Sequence, residues 1–218
     1  MRLILIGPPG SGKGTQGILL SERLHLTHLG MGDILRSAIK ANSPVGLQAA
    51  PFINVGKLAP DSLVNSLVQE RFSGQDCPER FVMDGYPRTH NQADFFDGML
   101  SGKKLPLTAV LEFQVEDDAI VQRLSGRRVC TNSDCSTNYH VTFRPPKVTN
   151  VCDRCGSELM QRVDDDENTI RDRLQIYHDN SKPLLEHYRT LGLLQVVQAK
   201  NDPESIYNEI MSLLSPAG

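Results

Sequence analysis

The sequence predicts an α/β protein: a parallel sheet covered by helices on both faces, interrupted by two smaller segments. Three observations carry that expectation. Short continuous apolar runs resemble strands buried on both faces. Helix-length periodic stretches alternate with them. Residues 30–59 and 126–165 break the alternation.

Taken in order, Leu3-Ile4-Leu5-Ile6 is the first strand candidate, followed by a glycine-rich turn and a helix over 14–24. A short strand at 25–29 is possible on pattern, and Phe81-Val82-Met83, 109–115 and 193–197 complete the strand set. Helical patterns occupy 62–71, 92–100, 117–124, 169–191 and 204–214. Asn168 is placed to cap the helix that begins at Thr169, and Pro183 to kink or divide it. Residues 30–59 are helical with Pro44, Pro51 and Pro60 as breaks, whereas 126–165 holds Pro145-Pro146 and four cysteines with little periodicity.

The chain has 218 residues, which suits one compact unit with insertions as well as two domains. Its 23 Lys+Arg against 26 Asp+Glu give a net charge of −3, which excludes a generally basic nucleic-acid binder. A hydrophobic content of 39% is enough for a core. No apolar run reaches the roughly 18 residues of a membrane span, and no cationic, cleavable leader precedes Leu3. The expectation is a protein that works in the cytoplasm.

Gly7-Pro8-Pro9-Gly10-Ser11-Gly12-Lys13-Gly14-Thr15 lies between a strand and a helix start, the context a P-loop requires. Its glycines admit close backbone approach and positive φ, so successive N–H groups form an anion nest. The helix behind them adds the positive end of its dipole. Lys13 supplies a mobile charge for β- and γ-phosphates, and Thr15 a hydroxyl for phosphate or magnesium. The plainer alternative is an ordinary glycine-rich turn. Asp84 ends the second apolar strand, where a carboxylate can hold magnesium through water; a turn-forming Asp-Gly pair is the alternative.

Most arginines are solvated surface charge. Here Arg88 follows Asp84-Gly85-Tyr86-Pro87, Arg123 and Arg127 stand four apart at a helix end on one expected face, and Arg171 and Arg173 follow the run Asp164-Asp165-Asp166-Glu167. Phosphoryl transfer spreads negative charge that guanidinium forks stabilise, so these, with Arg36 and Arg162, are candidates. Cys130 and Cys135 are separated by four residues, Cys152 and Cys155 by two, with sixteen between the pairs. Such spacing matches a closed structural zinc site, with disulfides or free thiols as alternatives. Tyr139 to Phe143 reads as a strand of the connecting hairpin, Cys77 as a free thiol, and His140 as hairpin surface.

These motifs resemble the adenylate kinase family in its bacterial long form with a zinc-bearing lid. The marks are the P-loop, Gly32-Asp33-Ile34-Leu35-Arg36, Gly56-Lys57-Leu58, Asp84-Gly85-Tyr86-Pro87-Arg88-Thr89 with Gln92, Gly126-Arg127-Arg128, and Arg162-Val163-Asp164-Asp165. The resemblance runs over nearly the whole chain. It implies a P-loop NTPase-type parallel sheet core with helices on both faces (1–29, 60–125 and 166–218), a helical flap for the nucleoside monophosphate (30–59) and a zinc-ribbon-like lid (126–165). It further implies reversible transfer from MgATP to AMP giving two ADP, by a monomer. Gly10, Ser11, Gly12, Lys13, Gly14, Thr15, Arg123, Arg127, Asn138, Tyr139 and Lys200 would serve ATP. Met31, Arg36, Lys57, Leu58, Ala59, Gly85, Tyr86, Pro87, Arg88, Gln92, Arg162 and Arg173 would serve AMP. Lys13, Asp84, Arg88, Arg123, Arg162 and Arg173 would act in transfer, and Asp164 and Asp165 would help to assemble the closed site.

Two positions depart from the family pattern. Met31 replaces a hydroxyl residue facing the acceptor base, a hydrogen bond worth about 0.5–1.5 kcal/mol. The Cys130–Cys135 spacing is two residues longer than usual. Competing readings are a kinase for UMP, CMP or GMP, and a zinc-ribbon nucleic-acid module with the P-loop as a nucleotide sensor.

Overall fold

The computed structural model describes residues 1–132, 135, 137–200 and 202–215. Its core is a five-stranded parallel sheet in the order β2-β3-β1-β4-β8: β1 Arg2–Ile6, β2 Thr27–Gly30, β3 Phe81–Asp84, β4 Ala109–Gln114 and β8 Leu194–Gln198. Alternation along β1 explains its unbroken apolar sequence. Ile4 and Ile6 join Phe72, Met83, Phe96 and Tyr188 in one buried cluster, while Leu3 and Leu5 join Leu20, Val82, Phe113 and Ile210 in another. Full burial of each such side chain contributes about 1.5–3 kcal/mol. Aromatic edges fasten the first cluster, Phe72 meeting Phe81 at 5.3 Å and Phe96 at 5.6 Å.

Helices α1 Lys13–Leu24 and α8 Pro203–Leu214 cover one face. The other is covered by α4 Asp61–Ser73, α5 His90–Gly102 and the long α7 Glu167–Thr190. Helix α6, Asp117–Ser125, packs against α7 through Ile120, Leu124, Ile170 and Leu174. The flap segment is α2 Met31–Lys40 and α3 Pro44–Ile53. They approach so closely that a Cβ on Gly46 would lie 2.1 Å from the Ala38 carbonyl oxygen. The lid segment is an antiparallel sheet in the order β6-β5-β7: β5 Arg127–Cys130, β6 Asn138–His140 and β7 Leu159–Met160. Its own small core is Cys130, Tyr139, Cys152 and Leu159. No helix among the described residues is long and apolar enough to cross a membrane.

Several local expectations are corrected. Asp166, and not Asn168, caps α7: its carboxylate accepts from the N–H groups of Asn168 at 3.0 Å and Thr169 at 3.4 Å, starting the helix two residues earlier. Pro183 does not divide α7, because Leu184 and Tyr188 beyond it are buried in the core and hold the second half in place. Pro44 opens α3 at a position where its missing N–H costs nothing, and Pro51 lies inside that helix. The expected strand from Tyr139 to Phe143 ends at His140, since the ring Nδ1 accepts from the N–H groups of Thr142 and Phe143, both at 3.0 Å, and folds the chain into a turn. His140 is therefore a hairpin organiser, its Nε2 3.2 Å from the Gln122 carbonyl oxygen. Arg123 and Arg127 do not share a helical face. Helix α6 stops at Ser125, and a Cβ on Gly126 would meet the His140 ring at 2.3 Å, so the chain turns there into β5.

Candidate active site

Parallel pairing brings the carboxyl ends of β1, β3 and β4 to one edge, with Leu5 opposite Asp84 and Ile6 opposite Glu112. The crevice at such an edge is where open α/β sheets bind ligands. Here β1 releases the chain into the glycine loop. Gly10 and Gly12 take φ of 78° and 97°, so Cβ-bearing residues would be strained at both. Ser11 is fully buried under the loop. Lys13 reaches back over it, donating to the carbonyls of Gly7 at 2.8 Å and Pro8 at 2.7 Å and to Ser11 Oγ at 3.2 Å. Burial, with Arg88, Arg173 and Arg127 nearby, lowers the Lys13 ammonium to about 8 despite the opposing Asp84. Asp84 lies against the first turn of α1: a Cβ on Gly14 would stand 3.4 Å from its carboxylate oxygen. Thr15 is exposed at the same turn.

Arginines from five segments of the chain converge opposite this loop. Arg127 forks onto the fully buried Asp165 at 2.7 and 2.5 Å. Arg162 forks onto Asp164 at 2.9 and 2.7 Å. Arg173 reaches Asp164 Oδ2 at 3.0 Å, the Asp164 carbonyl at 2.7 Å and Asp165 at 3.6 Å. Burial opposes ionisation of Asp164, but Arg173 and Arg162 outweigh it and hold its carboxyl down at about 2. Burial also pulls Arg173 down to about 10. Arg36 pairs with Asp33 at 2.5 Å. Arg88 is solvent-facing, with its Nε donating to the Gly85 carbonyl at 2.8 Å.

Two adjoining hollows of about 660 and 530 Å³ open between these groups. Lys13, Pro87 and Tyr177 line the first, Met31, Arg36, Lys57, Ala59 and Gln92 the second, and Leu58, Gly85, Arg88 and Arg173 face both. The remaining sequence candidates lie as follows. Arg123 donates to the Ala199 carbonyl at 3.0 Å. Lys200 is exposed at a separate hollow that it lines with Pro8. Asn138 is exposed on the lid. The Tyr139 ring is turned inward, its hydroxyl beside Cys152 Sγ at 3.6 Å and accepting from the Asp153 N–H at 2.8 Å. Tyr86 is likewise buried, donating to Asn65 Oδ1 at 2.7 Å.

Gln92 is buried and already engaged: its Oε1 accepts from the Arg88 N–H at 2.8 Å, and its Nε2 donates to Asp61 Oδ1 at 2.7 Å. The other Asp61 oxygen accepts from Thr89 Oγ1 at 2.9 Å. Asp61 thus fixes the loop that carries Arg88. Nothing in the sequence flags it, since an acidic residue at a helix start is ordinary.

In the lid, the four cysteine sulfurs all lie within 4.8 Å of one another, Cys130 to Cys155 at 3.4 Å and Cys135 to Cys152 at 3.7 Å. A tetrahedral zinc site with Zn–S bonds of about 2.3 Å separates its sulfurs by about 3.8 Å, so this cluster is compatible with zinc. The hydroxyl and backbone N–H of Ser157 draw the Cys155 thiol down to about 6, whereas burial pushes Cys130 up to about 12, so the cluster shares its protons unevenly.

The profile of the family described as adenylate kinase matches residues 5–193. The chain is 44% identical over 214 residues to the adenylate kinase of Syntrophotalea carbinolica, covering 98% of each chain. It is 46% identical over 197 residues to that of Moorella thermoacetica, covering 90% of each. With that of Ruminiclostridium cellulolyticum it shares 41% over 214 residues, 98% of this chain and 99% of the relative. A glycine cage facing a ring of carboxylate-anchored arginines, carried on a sequence matched from end to end, makes this chain a member of the adenylate kinase family.

Proposed function

We infer that the chain moves the γ-phosphoryl group of MgATP reversibly to AMP, giving two ADP. The observation that supports this most directly is the joint cleft, where Lys13 and the arginines Arg88 and Arg173 face one continuous space. An AMP phosphate oxygen forms the new P–O bond as the bond from the γ-phosphorus to the β–γ bridging oxygen breaks. The acceptor oxygen is already anionic, so no general base is required. Lys13 and the amides of Gly10, Ser11, Gly12, Gly14 and Thr15 hold the donor phosphates, with Arg123 and Arg127 gripping ATP from the lid side. Asn138, the backbone at Tyr139 and Lys200 serve the ATP base. Arg36, Arg88, Arg162 and Arg173 gather charge at the acceptor and transferring phosphates. AMP occupies the smaller hollow against Met31, Lys57, Leu58, Ala59 and the segment Gly85 to Arg88, where Tyr86 and Pro87 contribute backbone and shape. Gln92 shows its remaining amide edge to the base.

Asp84 and the Thr15 hydroxyl are the groups that would hold Mg²⁺, which would supply positive charge against the donor phosphates. The four lid cysteines hold a structural zinc, and thiolates of that kind suit a reducing compartment such as the cytoplasm. All cleft groups come from one chain, so a monomer suffices. The chain divides into a core of 1–29, 60–125 and 166–218, a flap of 30–59 and a lid of 126–165. Flap and lid close over both nucleotides, exclude water and align the reacting atoms, an effect worth roughly 7–11 kcal/mol.

Met31 favours keeping a second acceptor in view, because a buried thioether offers the base no hydroxyl. Monitoring ADP formation from MgATP with AMP, UMP, CMP and GMP in turn tests the assignment. AMP is expected to be preferred, and Lys13→Ala or Arg88→Ala to lower turnover by orders of magnitude with the fold intact. No acceleration by any monophosphate would end the assignment, and near-normal rates in the variants would remove the roles given to those residues.

A further inference from the structure

Away from the cleft, α5 and α7 bring together a cluster that phosphoryl transfer does not use. His90 and Asp94 stand one turn apart on α5, with His90 Nε2 3.4 Å from Asp94 Oδ2. His187 of α7 meets them: its Nδ1 lies 3.7 Å from Asp94 Oδ1, and its ring stands edge-to-face with that of His90 at 5.1 Å between centroids. One donor atom from each of the three lies within 4.8 Å of the others.

We propose that His90, Asp94 and His187 form a second metal site, selective for a borderline divalent transition-metal ion of the Zn²⁺ or Co²⁺ class. Metal–N and metal–O bonds of about 2.0–2.2 Å in tetrahedral geometry separate neighbouring donors by about 3.3–3.6 Å, so three donors already within 4.8 Å, His90 and His187 each meeting one Asp94 oxygen at 3.4 and 3.7 Å, need only small side-chain rotations to ligate. A ligating histidine needs its other nitrogen held by an acceptor, which fixes the tautomer and the ring orientation. His187 has this: its Nε2 sits 2.7 Å from Asp97 Oδ2, and Tyr188 donates to the other Asp97 oxygen at 3.4 Å. That bond places the Nε2 proton toward Asp97 and leaves the Nδ1 lone pair toward Asp94. Two imidazoles and one carboxylate suit zinc, cobalt or nickel and not the all-oxygen preference of magnesium or calcium. His90 and Asp94 keep side-chain exposures of 47% and 57%, so metal can enter and water can complete the coordination. Ligation there would tie the start of α5, just after the Arg88 loop, to the end of α7.

Cobalt titration tests the site and separates it from the lid. The purified, metal-free chain is given a single equivalent of zinc, which the four-thiolate cluster takes in preference to a His/carboxylate site, and is then titrated with Co²⁺ while visible absorption is read. The expected result is one further equivalent with d–d bands and no sulfur-to-cobalt charge transfer, weakened at least about tenfold by His90→Asn and by Asp94→Asn, both on exposed side chains that leave the fold intact. Binding only with charge-transfer absorption, no binding, or the same affinity in both variants would overturn it and leave the cluster as plain histidine–carboxylate pairs.

Discussion

Asp165 holds Arg127 and Arg173 from a fully buried position, so Asp165→Asn tests whether the arginine ring depends on its carboxylates. Removing one partner of a buried ion pair costs about 3–5 kcal/mol, because the other charge is left uncompensated. Two features reduce that figure here. Asparagine keeps the volume and one acceptor oxygen, worth about 1 kcal/mol with Arg127. The Arg127 side chain is 19% exposed and regains some water. A net loss of about 2–3 kcal/mol follows. For a chain of this size each kcal/mol lowers the melting temperature by roughly 2–4 °C, which gives a fall of about 4–12 °C. Thermal unfolding of the unliganded protein measures it, and steady-state kinetics should show a raised KM for ATP as Arg127 loses its seat. Adding Arg127→Gln should recover much of the stability, since the pair is then gone from both sides. A melting temperature for Asp165→Asn within the scatter of ordinary surface substitutions, about 0.5 kcal/mol, would refute the reasoning.

Gly46→Ala should unseat α3 from α2, because the added Cβ would press into the Ala38 and Ile39 backbone at 2.1 to 2.6 Å and no flexible side chain is there to yield. A rise in the KM for AMP larger than any in the KM for ATP, with faster amide exchange in 31–53, is the expected outcome. Lys13 titrates near 8 in the free protein and loses its charge as pH rises through that value, whereas bound phosphates would keep it protonated. Accordingly kcat/KM for MgATP should fall above about pH 8 while kcat holds, because the first reports the free enzyme and the second the complex; parallel profiles would contradict this. Asp164 is lowered from 3.8 to about 2, so its stabilisation is complete above pH 3.8 and is lost as pH falls through about 2. Acid unfolding of Asp164→Asn should show a shallower dependence over that interval. On the proposed zinc site, Cys152→Ser should lower zinc content from about one equivalent toward none and depress the melting temperature more than it changes turnover at low temperature, since a bound metal would supply folding free energy to the lid.

The glycine loop was legible because an anion nest is a local property: spacing, positive φ and the following helix all lie within one stretch, Gly7 to Thr15. The strands were legible for a related reason, since Leu3 to Ile6 bury alternate residues in two different clusters and leave no polar position. Where several groups compete for a role, the local pattern falls short. Asp166 took the cap from Asn168 because a carboxylate two residues earlier already satisfies the first helical N–H groups. The separation of Arg123 from Arg127 depends on Gly126 yielding space to the His140 ring, a contact set by the hairpin and not by helical spacing. Gln92 was recognisable by motif, but its engagement with Asp61 joins positions 31 residues apart. The His90–His187 encounter spans still more chain, with no periodicity linking the two.

The charge of the cleft ties these pieces together. The chain as a whole carries −3, yet Lys13, Arg36, Arg88, Arg127, Arg162 and Arg173 outnumber Asp33, Asp84, Asp164 and Asp165 around the two hollows. Carboxylates therefore do two things at once. They relieve repulsion among guanidinium groups that would otherwise splay into water, and their bidentate geometry freezes rotamers that a free arginine would populate loosely. Neutralisation stops short of completion, since six cations face four carboxylates, and Lys13 is lowered chiefly by burial, with three arginines adding to it against the pull of Asp84. A polyphosphate entering this space meets donors already aimed and an unmet positive charge, and its binding raises the affinity of Lys13 for its proton. The same residues whose positive charges repel one another across the cleft are those that would hold two anionic nucleotides side by side, where mutual repulsion would otherwise drive them apart.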